Sequence, residues 1–332
     1  MYELLGISLA LAALLTLNTV ASLFAAMLWR ALRSRAGRWS ARVRAQLLFA
    51  LRVFPSISAV ICVIVLLVPA YIANEPRDRV EAVSWKLGFL AAISAVGLSL
   101  AIWRGVAAWM ITRRLITSWL ENAEPIHAHG IAIPAYRFRH HFPVIAVVGA
   151  IRPRLFIADY LFDSLSQEEL AAAIAHECGH LKAHDNLKRA ILRACRDALS
   201  IVPCGRSLDR AWSEASEAAA DEYAARAGAL AALDLATALV KIARLVPQGI
   251  KRAIPAGALL IGEDSSGITY RVKRLTEIAA QAKPEEARLT AGRVLLWLSL
   301  SFWLTAGFLL FLAPNLLASV HQLIEAAVST LQ

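Results

Sequence analysis

The pentapeptide His176-Glu177-Cys178-Gly179-His180 sets two imidazoles four residues apart. On a helix that spacing puts both rings on one face, where their nitrogens can share one Zn2+ at about 2.0–2.1 Å. Glu177 lies beside that face, where a carboxylate can take a proton from an attacking water and return it to a leaving amine. The bland alternative is a surface helix with two solvated histidines. The apolar flanks Ala171–Ala175 and Leu181 weigh against it, because imidazoles and a carboxylate buried without partners are costly.

A catalytic zinc takes three protein ligands and keeps one position open. Downstream, Glu217-Ala-Ala-Ala-Asp221 is again an i, i+4 pair. Glu217 is the candidate third ligand, with Glu214 and Glu222 as neighbouring alternatives. Asp221 is a candidate to hydrogen-bond the free nitrogen of a zinc histidine, His176 in particular. A solvated acidic face is the competing reading, and the surrounding alanines and Tyr223 argue for burial of one side. Asp185 is expected to cap the following helix, and His184 to be structural rather than a ligand. Tyr223, Tyr270, Arg271 and His184 are the candidates for stabilising a transition-state oxyanion besides zinc.

The elements that position these residues begin at Ser166-Gln-Glu-Glu169, a capping box ahead of an alanine-rich helix. Before it, Ile131–Ile133, Val144–Val148 and Leu155–Ile157 read as short strands, with Gly149, Arg152 and Pro153 turning between the last two. Strands beside the active helix could pair with an extended substrate backbone. Further helices are expected over Asn186–Val202, Leu208–Ala227 and Leu230–Val246.

Composition places this domain at a membrane. Of the 332 residues, 58% are hydrophobic and 18% charged, against about 45–50% and about 25% in soluble proteins. Four runs are long enough to span a bilayer, about 4–29, 53–73, 87–111 and 294–318. The loop 30–52 carries seven arginines and no acid, so the positive-inside rule assigns it to the cytoplasm. Both termini then face outward, and residues 112–293 form a cytoplasmic domain. The expected fold is mainly α: four transmembrane helices with a zincin-like α+β catalytic domain, followed by the fourth span and tail over 294–332.

The formal net charge of +10 accompanies no nucleic-acid motif and suits membrane lipid headgroups. Cys62, Cys178, Cys195 and Cys204 show no paired spacing, consistent with free thiols in a reducing compartment. The spans hold few ionisable residues, Arg104 being the exception, which disfavours a transporter or channel.

The run RPRLFIADYLFDSLSQEELAAAIAHECGHLKAHD, followed by SEAAAD, resembles the integral-membrane gluzincin peptidases of the BlaR/MecR antirepressor type. The HtpX and CAAX prenyl endopeptidase group is a close second. The resemblance covers about residues 144–228. It implies His176, His180 and Glu217 as zinc ligands, Glu177 as catalytic base and Asp221 as the supporting aspartate. The layout of three spans, catalytic domain and fourth span is similar as well. Asp264–Leu275 is similar, more distantly, to a helix start that closes the site. BlaR/MecR receptors carry a penicillin-binding sensor after the fourth span, and nothing here points to antibiotic sensing.

The function this implies is a zinc endopeptidase acting on protein or peptide substrates at the inner or plasma membrane, in regulatory or quality-control proteolysis. Its regulation would fall to the spans, the short outer loop or a separate membrane partner. A catalytically inactive zinc-binding sensor or scaffold is the alternative. It leaves Glu177 without a purpose, and structural zinc sites usually have four ligands, often cysteines.

Overall fold

The computed structural model describes residues 2–75, 83–126, 132–195, 205–246, 265–280 and 314–331. Among them, three helices are long and apolar enough to cross a membrane: α1 (Tyr2–Ala36), α2 (Ala41–Asn74) and α3 (Trp85–Leu120). The fourth expected run begins outside the described residues, which resume there with the helix Pro314–Leu331.

The helices have 35, 34 and 36 residues, about 50 Å each at 1.5 Å per residue. That exceeds a hydrocarbon core of about 30 Å, so each runs well beyond its apolar stretch. Residues 30–52 are accordingly not one loop. The strong helix formers Ala, Leu and Arg carry α1 on to Ala36, and α2 begins at Ala41, with Ser40 Oγ accepting from the Val43 N–H. Farther along α2, Cys62–Leu67 widens into a π turn just ahead of Pro69, which has no N–H for a regular ladder.

The extension of α3 enters the second half of the molecule. Trp119 is buried against Phe138 and Phe156, anchoring a four-stranded sheet of β1 (Ala123–Ile126), β2 (Ala135–Phe138), β3 (Ile145–Val148) and β4 (Arg154–Ala158). The order is β1-β2-β4-β3, with β2 and β4 parallel and the other pairings antiparallel. β3 and β4 match their expected positions. The strand expected at Ile131–Ile133 does not form over its described part, residues 132–133. Pro134 has no N–H to give a ladder, yet its carbonyl accepts from Leu155, and β2 starts just after it.

Longer helices follow: α4 (Gln167–Ala183), which packs on β3, α5 (Asp185–Ala194), α6 (Gly205–Ala224), α7 (Ala229–Leu245) and α8 (Ser265–Ala280). Residues 196–202 of the helix expected over Asn186–Val202 lie outside the described residues. Fully buried Ile145, Phe156, Ile157, Leu235 and Leu239 form the middle of the core between sheet and helices.

Candidate metal centre

The capping box forms as its sequence suggests. The Glu169 N–H donates to Ser166 Oγ at 3.2 Å and the Ser166 N–H donates to Glu169 Oε2 at 2.8 Å. It starts α4 in the phase that turns His176, Glu177 and His180 inward, all three buried. α6 crosses α4 at Gly179, where an added Cβ would stand 3.0 Å from the Ala220 Cα. Two small residues therefore let the helices approach closely enough to bring Glu217 and Asp221 to the histidines.

Nε2 of His176 lies 3.5 Å from Glu217 Oε2, and Nε2 of His180 lies 3.5 Å from Glu217 Oε1. A tetrahedral site with bonds of about 2.0–2.1 Å has edges of about 3.4 Å. The three residues can thus surround one ion, their donor atoms lying within 4.8 Å of one another. Two nitrogens and a carboxylate oxygen are also the donor types zinc accepts. Each Nδ1 is held from behind: His176 by Asp221 Oδ1 at 2.9 Å and His180 by Asp185 Oδ2 at 2.8 Å. A carboxylate at Nδ1 favours the tautomer that leaves Nε2 free to ligate.

The acids are braced in turn. Ser216 Oγ donates to Asp185 Oδ2 at 3.0 Å. Arg271 on α8 grips Asp221 through Nε at 3.0 Å and Nη2 at 2.7 Å, and its Nη1 lies 3.3 Å from Glu217. Arg189 on α5 donates to Glu217 Oε1 at 3.0 Å.

Burial disfavours the His180 cation, but the Glu217 charge and the hydrogen bonds of Asp185 and Glu217 outweigh it and push the pKa up to about 9. Burial also works against the Asp221 carboxylate, yet Arg271 and His176 hold its pKa down at about 2. Against the same burial penalty, His180, His176 and Arg271 hold Glu217 well below the usual carboxylate range.

Glu177 points to the sheet side, where its Oε2 accepts from the Val147 N–H at 3.0 Å. On the same peptide strand, Asn186 Nδ2 donates to the carbonyls of Val147 at 2.7 Å and Gly149 at 3.3 Å. β3 is an edge strand, but all four of its residues are buried. With Val147 already bonded through both backbone groups, it offers no open backbone there for a substrate strand in this conformation.

His176, Glu177, His180, Glu217 and Asp221 come together. Glu214 is exposed, and Glu222 is engaged with Arg274 and the Ala41 N–H, away from the donor set. Contrary to expectation, Asp185 does not cap the following helix with its side chain, which is spent on His180 instead. The chain turns left-handed at His184 (φ 54°, ψ 36°), which aims the Asp185 carboxylate back at His180. His184 itself is exposed, Tyr270 is 64% exposed, and Tyr223 packs under Lys182 and Arg226. Of the four oxyanion candidates, Arg271 alone is hydrogen-bonded into this cluster. Sequence reading assigned Asp185 a different role, and Asn186 and Arg189 were not foreseen in the site. The one local hint was an acid directly after the histidine face ends.

Residues 146–205 match the model of Peptidase family M48. The match runs from β3 through α4 and α5 to the start of α6, and so includes the His-Glu-x-x-His helix. It supports a metallopeptidase of the M48 kind, and with it a hydrolase and protease. Glu217 and Asp221 lie beyond the matched stretch and stand on geometry alone. No curated protein matches the chain.

Proposed function

We propose that this chain is a membrane-embedded, zinc-dependent endopeptidase that hydrolyses peptide bonds of protein substrates at the cytoplasmic membrane face. One observation carries the reading most directly: two histidines and a glutamate surround a space sized for one ion, with a second glutamate beside them. His176, His180 and Glu217 would hold zinc, which when bound supplies Lewis acidity toward a water and a scissile carbonyl.

The rest falls to this chain's own side chains. Glu177 takes the proton of the attacking water and passes it to the leaving amine, and its hydrogen bond from Val147 sets the carboxylate's direction. Asp221 and Asp185 keep the imidazoles oriented, with Nδ1 protonated. Arg271 joins Asp221 to Glu217 and balances their charge.

The long apolar helices support integral-membrane placement. The arginines of residues 30–52 support a cytoplasmic catalytic domain with both termini outside and lipid headgroups nearby. Regulatory or quality-control proteolysis, in the manner of the BlaR/MecR or HtpX types, fits such an enzyme. In detergent, the purified protein with zinc should cleave casein or itself, and Glu177→Gln should keep the metal and lose cleavage. Equal zinc content with no cleavage by the wild type would leave a zinc-binding sensor in its place.

A further inference from the structure

The two ends of α5 and α6 do different things. At one end, Asp185 begins α5 and holds His180, while Glu217 on α6 faces both histidines. At the other end, both helices meet the side of α2. Arg52 of α2, only 5% exposed, donates through Nε to Asp209 Oδ1 at 2.9 Å and through Nη2 to the Cys195 carbonyl at 3.5 Å. One arginine thus touches the residue that follows α5 and the second turn of α6.

The contact is closely fitted. A Cβ at Gly205 would fall 2.6 Å from the Arg52 guanidinium, so a side chain there requires the guanidinium to shift. Around the pair, Leu192 of α5 and Leu208, Trp212 and Ala215 of α6 are buried with Ala45 and Leu48 of α2. This part of α2 is therefore a wall of the metal-binding domain as well as the continuation of an apolar helix.

The geometry gives that wall leverage. Asp209 and Glu217 are eight residues apart on one helix, about 12 Å along its axis. α6 is held just beyond Glu217 by the Gly179–Ala220 crossing and by Glu222, which accepts from the Ala41 N–H, and before Glu217 by the Arg52–Asp209 contact with the apolar packing around it. Losing the Arg52–Asp209 contact leaves this end of α6 to apolar packing, which is non-directional and fixes its rotation and height less tightly. A slip of one residue translates a helix by about 1.5 Å, whereas metal–ligand distances tolerate about 0.2 Å.

We propose that Arg52 is a positioning residue: from the second apolar helix it holds α5 and α6 in the relative placement that brings Glu217 to His176 and His180. The inference rests on the zinc-site reading of the preceding section. It makes the position of α2 a determinant of metal affinity, and so a route by which a change in the membrane segment reaches the site.

The test uses the full chain in detergent or nanodiscs. Gly205→Ala is expected to displace the guanidinium from Asp209 without removing a charge, and Asp209→Asn removes the charge with little change of shape. Zinc Kd is measured by chelator competition, alongside the zinc-free Tm and casein cleavage. Each variant is expected to weaken zinc binding by roughly three- to tenfold, and the double variant by little more than the stronger single, because both act through one contact. A merely structural Arg52 would lower Tm and leave zinc Kd at the wild-type value, which would overturn the proposal. Should Gly205→Ala fail to fold, Asp209→Asn decides by the same criterion. Normal zinc affinity without any cleavage by the wild type would count against the peptidase reading alone.

Discussion

Asp185 Oδ2 lies 2.8 Å from His180 Nδ1, and it reaches there because the intervening corner residue, His184, is left-handed. Asp221 stands in the same relation to His176 at 2.9 Å. The two histidines are thus oriented by acids from two different elements, one at the start of α5 and one on α6. Carboxylates placed so fix the ring tautomer and raise ligand basicity.

Asp185→Asn is accordingly expected to lower zinc affinity by about 10- to 100-fold, with Asp221→Asn doing the same. Chelator competition on the folded variants reads this directly. Wild-type zinc affinity in Asp185→Asn would return Asp185 to the role of a helix cap.

The charges around His180 give the zinc-free protein a specific pH dependence. Its pKa rises from 6.5 to about 9 in the folded chain. A raised folded pKa stabilises fully below the unfolded value, and the benefit is lost as pH climbs through the folded value. The zinc-free Tm should therefore decline between about pH 6.5 and 9. Zinc must displace that proton, so its affinity should increase over the same interval. Calorimetry in buffers of different ionisation enthalpy would detect the released proton, and a pH-independent zinc Kd would count against a protonated His180.

Gly179 is another site where a methyl group would be tight, its Cβ falling 3.0 Å from the Ala220 backbone. Gly179→Ala should cost about 1–3 kcal/mol by overpacking, and should weaken zinc binding by parting α4 from α6. Thermal unfolding with and without zinc separates the two effects. A stable variant with intact zinc affinity would mean the crossing is not what sets the Glu217 position.

Asn186 is the donor for the Val147 carbonyl, on the strand that also holds Glu177. Asn186→Ala leaves a buried carbonyl unpaired, at a cost of about 1–3 kcal/mol. It should lower kcat with zinc content unchanged, because Glu177 is not a ligand in this account. Loss of zinc instead would move the role of Asn186 to the α4–α5 corner.

The parts of this arrangement that were legible in sequence are those fixed by helical spacing. His176 and His180, Glu217 and Asp221, and the Ser166–Glu169 box each sit within one or two turns, where 3.6-residue periodicity determines the face. Asp185 was misread because its direction depends on a left-handed residue that is neither glycine nor asparagine, a conformation sequence rarely signals. Arg271 was one of four candidates, since its grip on Asp221 spans fifty positions and no local rule selects it. β1 escaped because four residues including a glutamate and a proline carry no strand period. The helical extensions of α1, α2 and α3 escaped because hydropathy marks where lipid ends and not where a helix ends.

The most direct test is metal content and Kd for wild type, Glu177→Gln and Glu217→Ala, measured on the purified full chain. One zinc per chain in wild type and Glu177→Gln, and an affinity weakened at least about tenfold in Glu217→Ala, would bear out the His176–His180–Glu217 centre. Zinc bound as tightly by Glu217→Ala as by wild type would contradict it and send the third ligand elsewhere.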